Sequence, residues 1–96
     1  MNNSKLKESQ EEKVRSYGDM VQDLGKRFLQ DRKRFKSAIN RVSEMLEGRE
    51  FNQFQALSRN EELDDVGDFE EQFEEICGAK DKDEKRELVR LVLRHM

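Results

Sequence analysis

Ninety-six residues, 43% of them charged and 33% hydrophobic, make one small domain at most. A net charge of −3 gives no global pull toward nucleic acid, no apolar run approaches the ~20 residues of a membrane span, and the polar start Met1-Asn2-Asn3-Ser4-Lys5 is expected to carry no secretory signal. Cys77 is the single cysteine and cannot form an internal disulfide, so the expected setting is a reducing, intracellular one, cytoplasmic or nuclear.

Residues 1–8 are polar and are expected to be a flexible N-terminus ahead of a single helical domain over 9–96. Ser9 followed by Glu12 has the spacing of a capping box, which starts a helix. Val14, Tyr17, Val21, Leu24, Phe28, Phe35, Ala38, Val42 and Met45 then fall on one alternating three-and-four spacing, interrupted only by Asp31. That periodicity predicts an amphipathic helix, or two helices in register, with one apolar seam to bury. The stripe runs to Leu46, and Gly48 is placed to stop it. Gly18 and Gly25 lie seven apart, one step past the seam, and a glycine costs up to about 1 kcal/mol in a helix interior. Three readings follow: the helix is weakened or broken near Gly25, a second helix approaches closely over a glycine groove, or neither holds.

Phe51, Phe54 and Leu57 form a short helical stripe, and Ser58-Arg59-Asn60-Glu61 offers a second capping box. Leu63, Val66, Phe69, Phe73 and Ile76 form another stripe, which Gly67 can divide. Asp68 is placed to cap a helix that starts at Phe69 and ends before Gly78. Residues 78–83 read as a polar loop. From Glu84 to Met96 the chain carries Leu88, Val89, Leu91, Val92 and Leu93, with acids first and Arg90, Arg94 and His95 last, the order a helix dipole favours. No strand-like alternation occurs. The expected fold is all-α: a small bundle of four to six helices with a long amphipathic N-terminal helix or helix pair.

Charge is segregated along the chain. Lys26, Arg27, Arg32, Lys33, Arg34, Lys36 and Arg41 stand against Asp31 alone, while residues 61–75 hold Glu61, Glu62, Asp64, Asp65, Asp68, Glu70, Glu71, Glu74 and Glu75 and no base. Opposite blocks favour the later helices folding back against the first, or two chains meeting head to tail. Exposed pairs contribute only about 0–1 kcal/mol each, so such a pattern sets orientation more than strength.

The basic block also supports a nucleic-acid reading, in which these seven cations contact phosphates. Phe28 and Phe35 interleave it, but their seam position suits a core better than base stacking. The acids do not follow calcium-loop spacing: Asp81 and Asp83 match the first two ligands, but the glycine and terminal Glu do not follow. One His and one Cys cannot build a zinc set within one chain, and a Cys77–His95 dyad has no local signature. Neither a phosphate-binding glycine loop nor a nucleophile elbow occurs. No enzymatic activity, cofactor or metal site is expected.

Phe51 through Leu93 resembles, in pattern, the compact helical modules of the harmonin-homology type. Phe and Leu stripes frame an acidic turn, Asp64-Asp65, and a paired apolar helix end, Leu88-Val89. That resemblance implies a protein-docking role. A six-helix death-fold module fits the length about as well, and no family is assigned.

The expected function is a non-enzymatic protein–protein interaction module, acting as an adaptor, regulatory subunit or inhibitor. Val21, Leu24, Phe28, Phe35, Leu88, Leu91 and Val92 are the candidate partner contacts. Coiled-coil-like spacing of the seam makes a homodimer a subsidiary expectation. The alternatives are a nucleic-acid accessory protein using residues 26–41 and a chain that folds only on its target.

Overall fold

Ser16 opens the first described helix, its Oγ accepting from the Asp19 N–H at 3.0 Å and satisfying an orphan helix-start donor. The computed structural model describes residues 15–96. The stretch 1–8, the Ser9–Glu12 capping box and the seam residue Val14 lie outside the described residues. Within them, five helices and one 3-10 turn follow in order, and no strand occurs.

α1 (Tyr17–Gln30) runs unbroken through Gly25. The interruption falls at Asp31, the one polar gap in the stripe. Its backbone leaves helical geometry at φ −154° and ψ 89°. Asp31 closes α1 through its N–H to the Arg27 carbonyl at 2.9 Å and opens α2 (Arg32–Arg41), its carboxylate accepting from the Arg34 N–H at 3.1 Å. Between residues 17 and 41 the seam is therefore carried by a helix pair rather than one long helix.

Gly25 serves the close packing of the helix that carries Val66 and Phe69. A Cβ there would sit 3.0 Å from Phe69 Cδ1 and 3.2 Å from Val66 Cγ1, whereas one at Gly18 would meet nothing within 4 Å. The two glycines should therefore respond oppositely. Gly18→Ala is expected to raise unfolding free energy by about 0.5–1 kcal/mol through helix propensity. Gly25→Ala is expected to lower it by about 1–2 kcal/mol, because the overpacking at a locked Phe69 exceeds the propensity gain. Denaturant titration of both variants checks the pair; equal shifts of one sign would contradict it.

The stripe does not continue as α-helix to Leu46. After Arg41 the chain passes into a 3-10 turn at Ser43–Met45 and leaves Met45 37% exposed. Gly48 starts a helix instead of stopping one: it is the first residue of α3 (Gly48–Ser58). The cause is reciprocal capping just upstream, where the Glu47 N–H donates to Glu50 Oε1 at 3.0 Å. The capping box read at Ser58–Glu61 starts nothing, because the buried Ser58 hydroxyl donates back to the Gln55 carbonyl at 2.6 Å. α4 (Val66–Cys77) is capped by Asp65, not Asp68, through the Gly67 N–H at 2.6 Å. Gly67 thus lies inside the first turn and divides nothing. α5 (Lys82–His95) opens two residues before Glu84, capped by Asp81, whose carboxylate accepts the Glu84 N–H at 2.9 Å.

α1 packs on α2, α4 and α5; α3 packs on α2 and α4; α5 also packs on α2. α4 runs antiparallel to α1, since Tyr17 meets Cys77 at one end and Gly25 meets Val66 and Phe69 further along. α5 runs parallel to it, with Lys85 over the Tyr17 ring and Arg34 reaching the Met96 carbonyl. Between these layers Phe28, Phe35, Phe54, Phe69 and Phe73 are fully buried. Their neighbouring ring centroids lie 5.0–6.3 Å apart, and each such pair adds about 0.5–1.5 kcal/mol to its area term. A buried ion pair closes one end: Lys80 Nζ, in the α4–α5 turn, sits 3.2 Å from Glu50 Oε1 and donates to the Met45 carbonyl at 3.3 Å.

Candidate interaction surface

The seven candidate partner contacts face inward. Val21, Leu24, Phe28, Phe35, Leu88 and Val92 are at most 2% exposed, and Leu91 is half-buried against the same cluster. The seam needs a mating surface, and this chain's own α4 and α5 provide it. The physical reason lies in the later stripes: Val66, Phe69, Phe73, Leu88, Val89 and Val92 supply the mating surface the seam requires. Among the described residues Met45 is the exposed large hydrophobic side chain.

Most of the charge remains outside. Of the seven basic candidates, Arg32 is drawn into the fold. Its guanidinium lies 4.8 Å from the Phe28 ring centroid and donates to the Asn60 and Leu63 carbonyls, tying α2 to the α3–α4 turn. That contact is made across the non-helical Asp31, so helical spacing did not signal it. Arg27 pairs with Asp23 at 3.3 Å and Arg34 with Asp31 at 3.6 Å. Lys26, Lys33, Lys36 and Arg41 are exposed.

The acidic stretch does fold back on α1, but through its apolar face. Within 61–75, Glu74 takes part in an ion pair, to Lys85 at 3.1 Å. Among the described residues no ion pair joins the basic block 26–41 to the acidic block 61–75. The complementary charges do not pair with each other within the chain.

Two adjoining concavities line the α1–α5 side. One of about 570 Å³ is flanked by Lys26, Arg27 and Arg34 around Asp23 and Asp31. A second, of about 280 Å³, shares Asp23 and Arg27 and adds Arg15, Arg90 and Arg94. Partial burial pushes the Asp23 carboxyl up, but Arg15 at 3.0 Å and Arg27 at 3.3 Å outweigh it and hold it below the usual aspartate range. Arg90, Arg94 and Arg15 were missed as candidates, because only folding brings α5 beside α1.

Cys77 sits in a separate cluster with Tyr17, Glu74 and Lys85. Its thiol donates to the Phe73 carbonyl at 3.2 Å and lies 4.0 Å from the Tyr17 hydroxyl. Burial pushes the thiol up to about 11 and, together with the neighbouring Glu74 carboxylate, lifts the Tyr17 hydroxyl far above its usual range. Burial also pushes the Glu74 carboxyl up, but Tyr17 and Lys85 outweigh it and hold it below the usual glutamate range. Lys85 reaches this cluster, and His95 lies a further ~15 Å along α5, so the Cys77–His95 dyad is not assembled. Below the ordinary thiol value of 9.0 folded and unfolded chains both keep the proton; between there and about 11 the unfolded chain ionises first, and stability falls. Thermal melts should therefore show a melting temperature that declines above pH 9, with a shallower decline in Cys77→Ala; a flat profile to about pH 10.5 would contradict the burial.

Among the described residues no group of three or more His, Cys, Asp or Glu side chains is placed to hold a metal ion, and no helix is long and apolar enough to cross a membrane. No protein-family model matches the chain, and no curated protein or solved structure matches it.

Proposed function

We propose that this chain is a small, intracellular, non-enzymatic module that binds another protein, as an adaptor, regulatory subunit or inhibitor, and that it does so through segregated surface charge. One observation carries the reading: the apolar seam is closed within the chain, while its opposite charge blocks stay exposed and unpaired with each other. Charge of this kind steers encounter and fixes orientation, with strength set by how much of it is desolvated on binding. The buried Cys77 thiol, held protonated by its surroundings, fits a role without chemistry.

Quantitative affinity capture tests it with Lys26→Gln/Arg94→Gln and with Leu24→Asp. The charge variant is expected to keep its helical signal and lose salt-sensitive partners, while Leu24→Asp loses fold and partners together. Partners retained by the charge variant, or lost by a Leu24→Asp chain that stays folded, would return the interface to the seam. A second reading, nucleic-acid contact, is favoured by the exposed Lys26, Lys33, Lys36 and Arg41. It requires an oligonucleotide affinity that falls steeply with salt.

A further inference from the structure

We propose that the basic cleft between α1, the start of α2 and α5 is the docking site for the acidic face of α4 in a second copy of this chain. The inference rests on the charge-driven reading above and names its partner.

Six cations, Arg15, Lys26, Arg27, Arg34, Arg90 and Arg94, surround the two concavities, against two carboxylates within them. Arg15 and Arg27 hold Asp23, Arg34 holds Asp31 and Arg90 holds Glu87, so with Glu87 counted six cations stand against three carboxylates and the cleft keeps a net positive surface. Its complement stands elsewhere on the same molecule. Asp68, Glu71 and Glu75 are exposed and follow three-and-four spacing along α4, on the side away from the buried Phe69, Phe73 and Ile76. Exposed Glu61, Glu62 and Asp64 in the preceding turn extend that surface.

Within one chain these surfaces do not meet. No ion pair joins Asp68, Glu71 or Glu75 to a cleft cation among the described residues, and these acids lie on the side of α4 opposite its core-facing residues. A second copy can bring them together. The Asp68–Glu75 stripe is about 10 Å long and α1 about 21 Å, so the stripe can lie lengthwise along a cleft that follows α1. The contact joins two different surfaces and is heterologous. Each added copy leaves one cleft and one acidic face unoccupied at the ends, so association grows as open chains rather than stopping at a two-fold dimer. Rim charges are screened over about 8 Å at physiological salt, so the effect is strongest at low salt and high protein concentration.

Sedimentation velocity on the whole chain tests this with two neutralised variants, Lys26→Gln/Arg94→Gln for the cleft and Glu71→Gln/Glu75→Gln for the acidic face. Circular dichroism first confirms that each keeps its helices. At about 20 mM salt the wild-type mean mass should at least roughly double as concentration rises, and at about 500 mM salt it should return to that of the monomer. Each variant alone should stay monomeric. An equimolar mixture should form a one-to-one dimer and stop there, since it retains one good cleft and one good acidic face. A monomeric wild type at low salt, salt-insensitive association, or a mixture that stays monomeric would overturn the proposal. If the wild type is monomeric but a different protein binds it in a way that Lys26→Gln/Arg94→Gln abolishes, self-docking fails while the charge-driven reading stands.

Discussion

Phe69→Ala is expected to lower the unfolding free energy by about 3–5 kcal/mol, read from denaturant titration of the helical circular dichroism signal. Phe69 is fully buried and central: its ring lies 5.0 Å from Phe28, 5.8 Å from Phe35 and 5.8 Å from Phe73. It also fills the space left by Gly25. Removing the ring loses its transfer free energy and opens a void. Rings held on three sides cannot collapse into that void, which places the cost toward the upper part of the range. A protein of this size has a total of about 5–15 kcal/mol, so one side chain decides much of it. Phe69→Leu, closer in volume, should cost clearly less. A loss below about 1 kcal/mol for the alanine variant would mean that the five phenylalanines do not form the core.

Lys80→Met is the second large effect, an expected loss of about 3–5 kcal/mol, because it strands a buried carboxylate. Glu50 is 3% exposed and Lys80 approaches it to 3.2 Å. The same Glu50 oxygen accepts the Glu47 N–H that opens α3, so it cannot simply turn to water. Coupling in a double-mutant cycle distinguishes pairing from packing. Adding Glu50→Gln to Lys80→Met removes the stranded charge and keeps an acceptor for Glu47, so the double variant should recover part of the loss. Strictly additive losses would show that the two side chains do not depend on each other.

Much of the core was legible because helical periodicity is local. Leu24, Phe28, Phe35 and Ala38 could be assigned to one face before any fold was known, and Phe69, Phe73 and Ile76 to another. What spacing does not carry is which face meets which. The seam asks for a mating surface without saying whether the later helices or another chain supplies it; α4 and α5 do. Boundaries slipped where capping competes. Glu47 with Glu50 overrode Gly48 as a helix stop, and Asp65 reached Gly67 before Asp68 could serve. Gly25 allowed a broken helix, a close approach or neither; the helix runs through it and Phe69 arrives, neither of which local spacing decides. The Glu50–Lys80 pair was illegible, since a lysine in a polar loop and a glutamate in a helix start both read as solvated. The charge blocks were plain from the sequence, but their failure to meet each other appears only in three dimensions. α4 packs on α1 through its apolar face, which leaves Asp68, Glu71 and Glu75 exposed and unpaired with the basic block.

The central claim is that the oily faces of this chain satisfy one another, leaving charge to do the recognising. Native-state amide hydrogen exchange on the isolated chain, dilute enough to be monomeric, tests it most directly. The backbone amides of Leu24, Phe28, Phe35, Phe73 and Val89 should exchange slowly and together, at the free energy of global unfolding. Fast, independent exchange at those amides, slowed only when another chain is added, would contradict it.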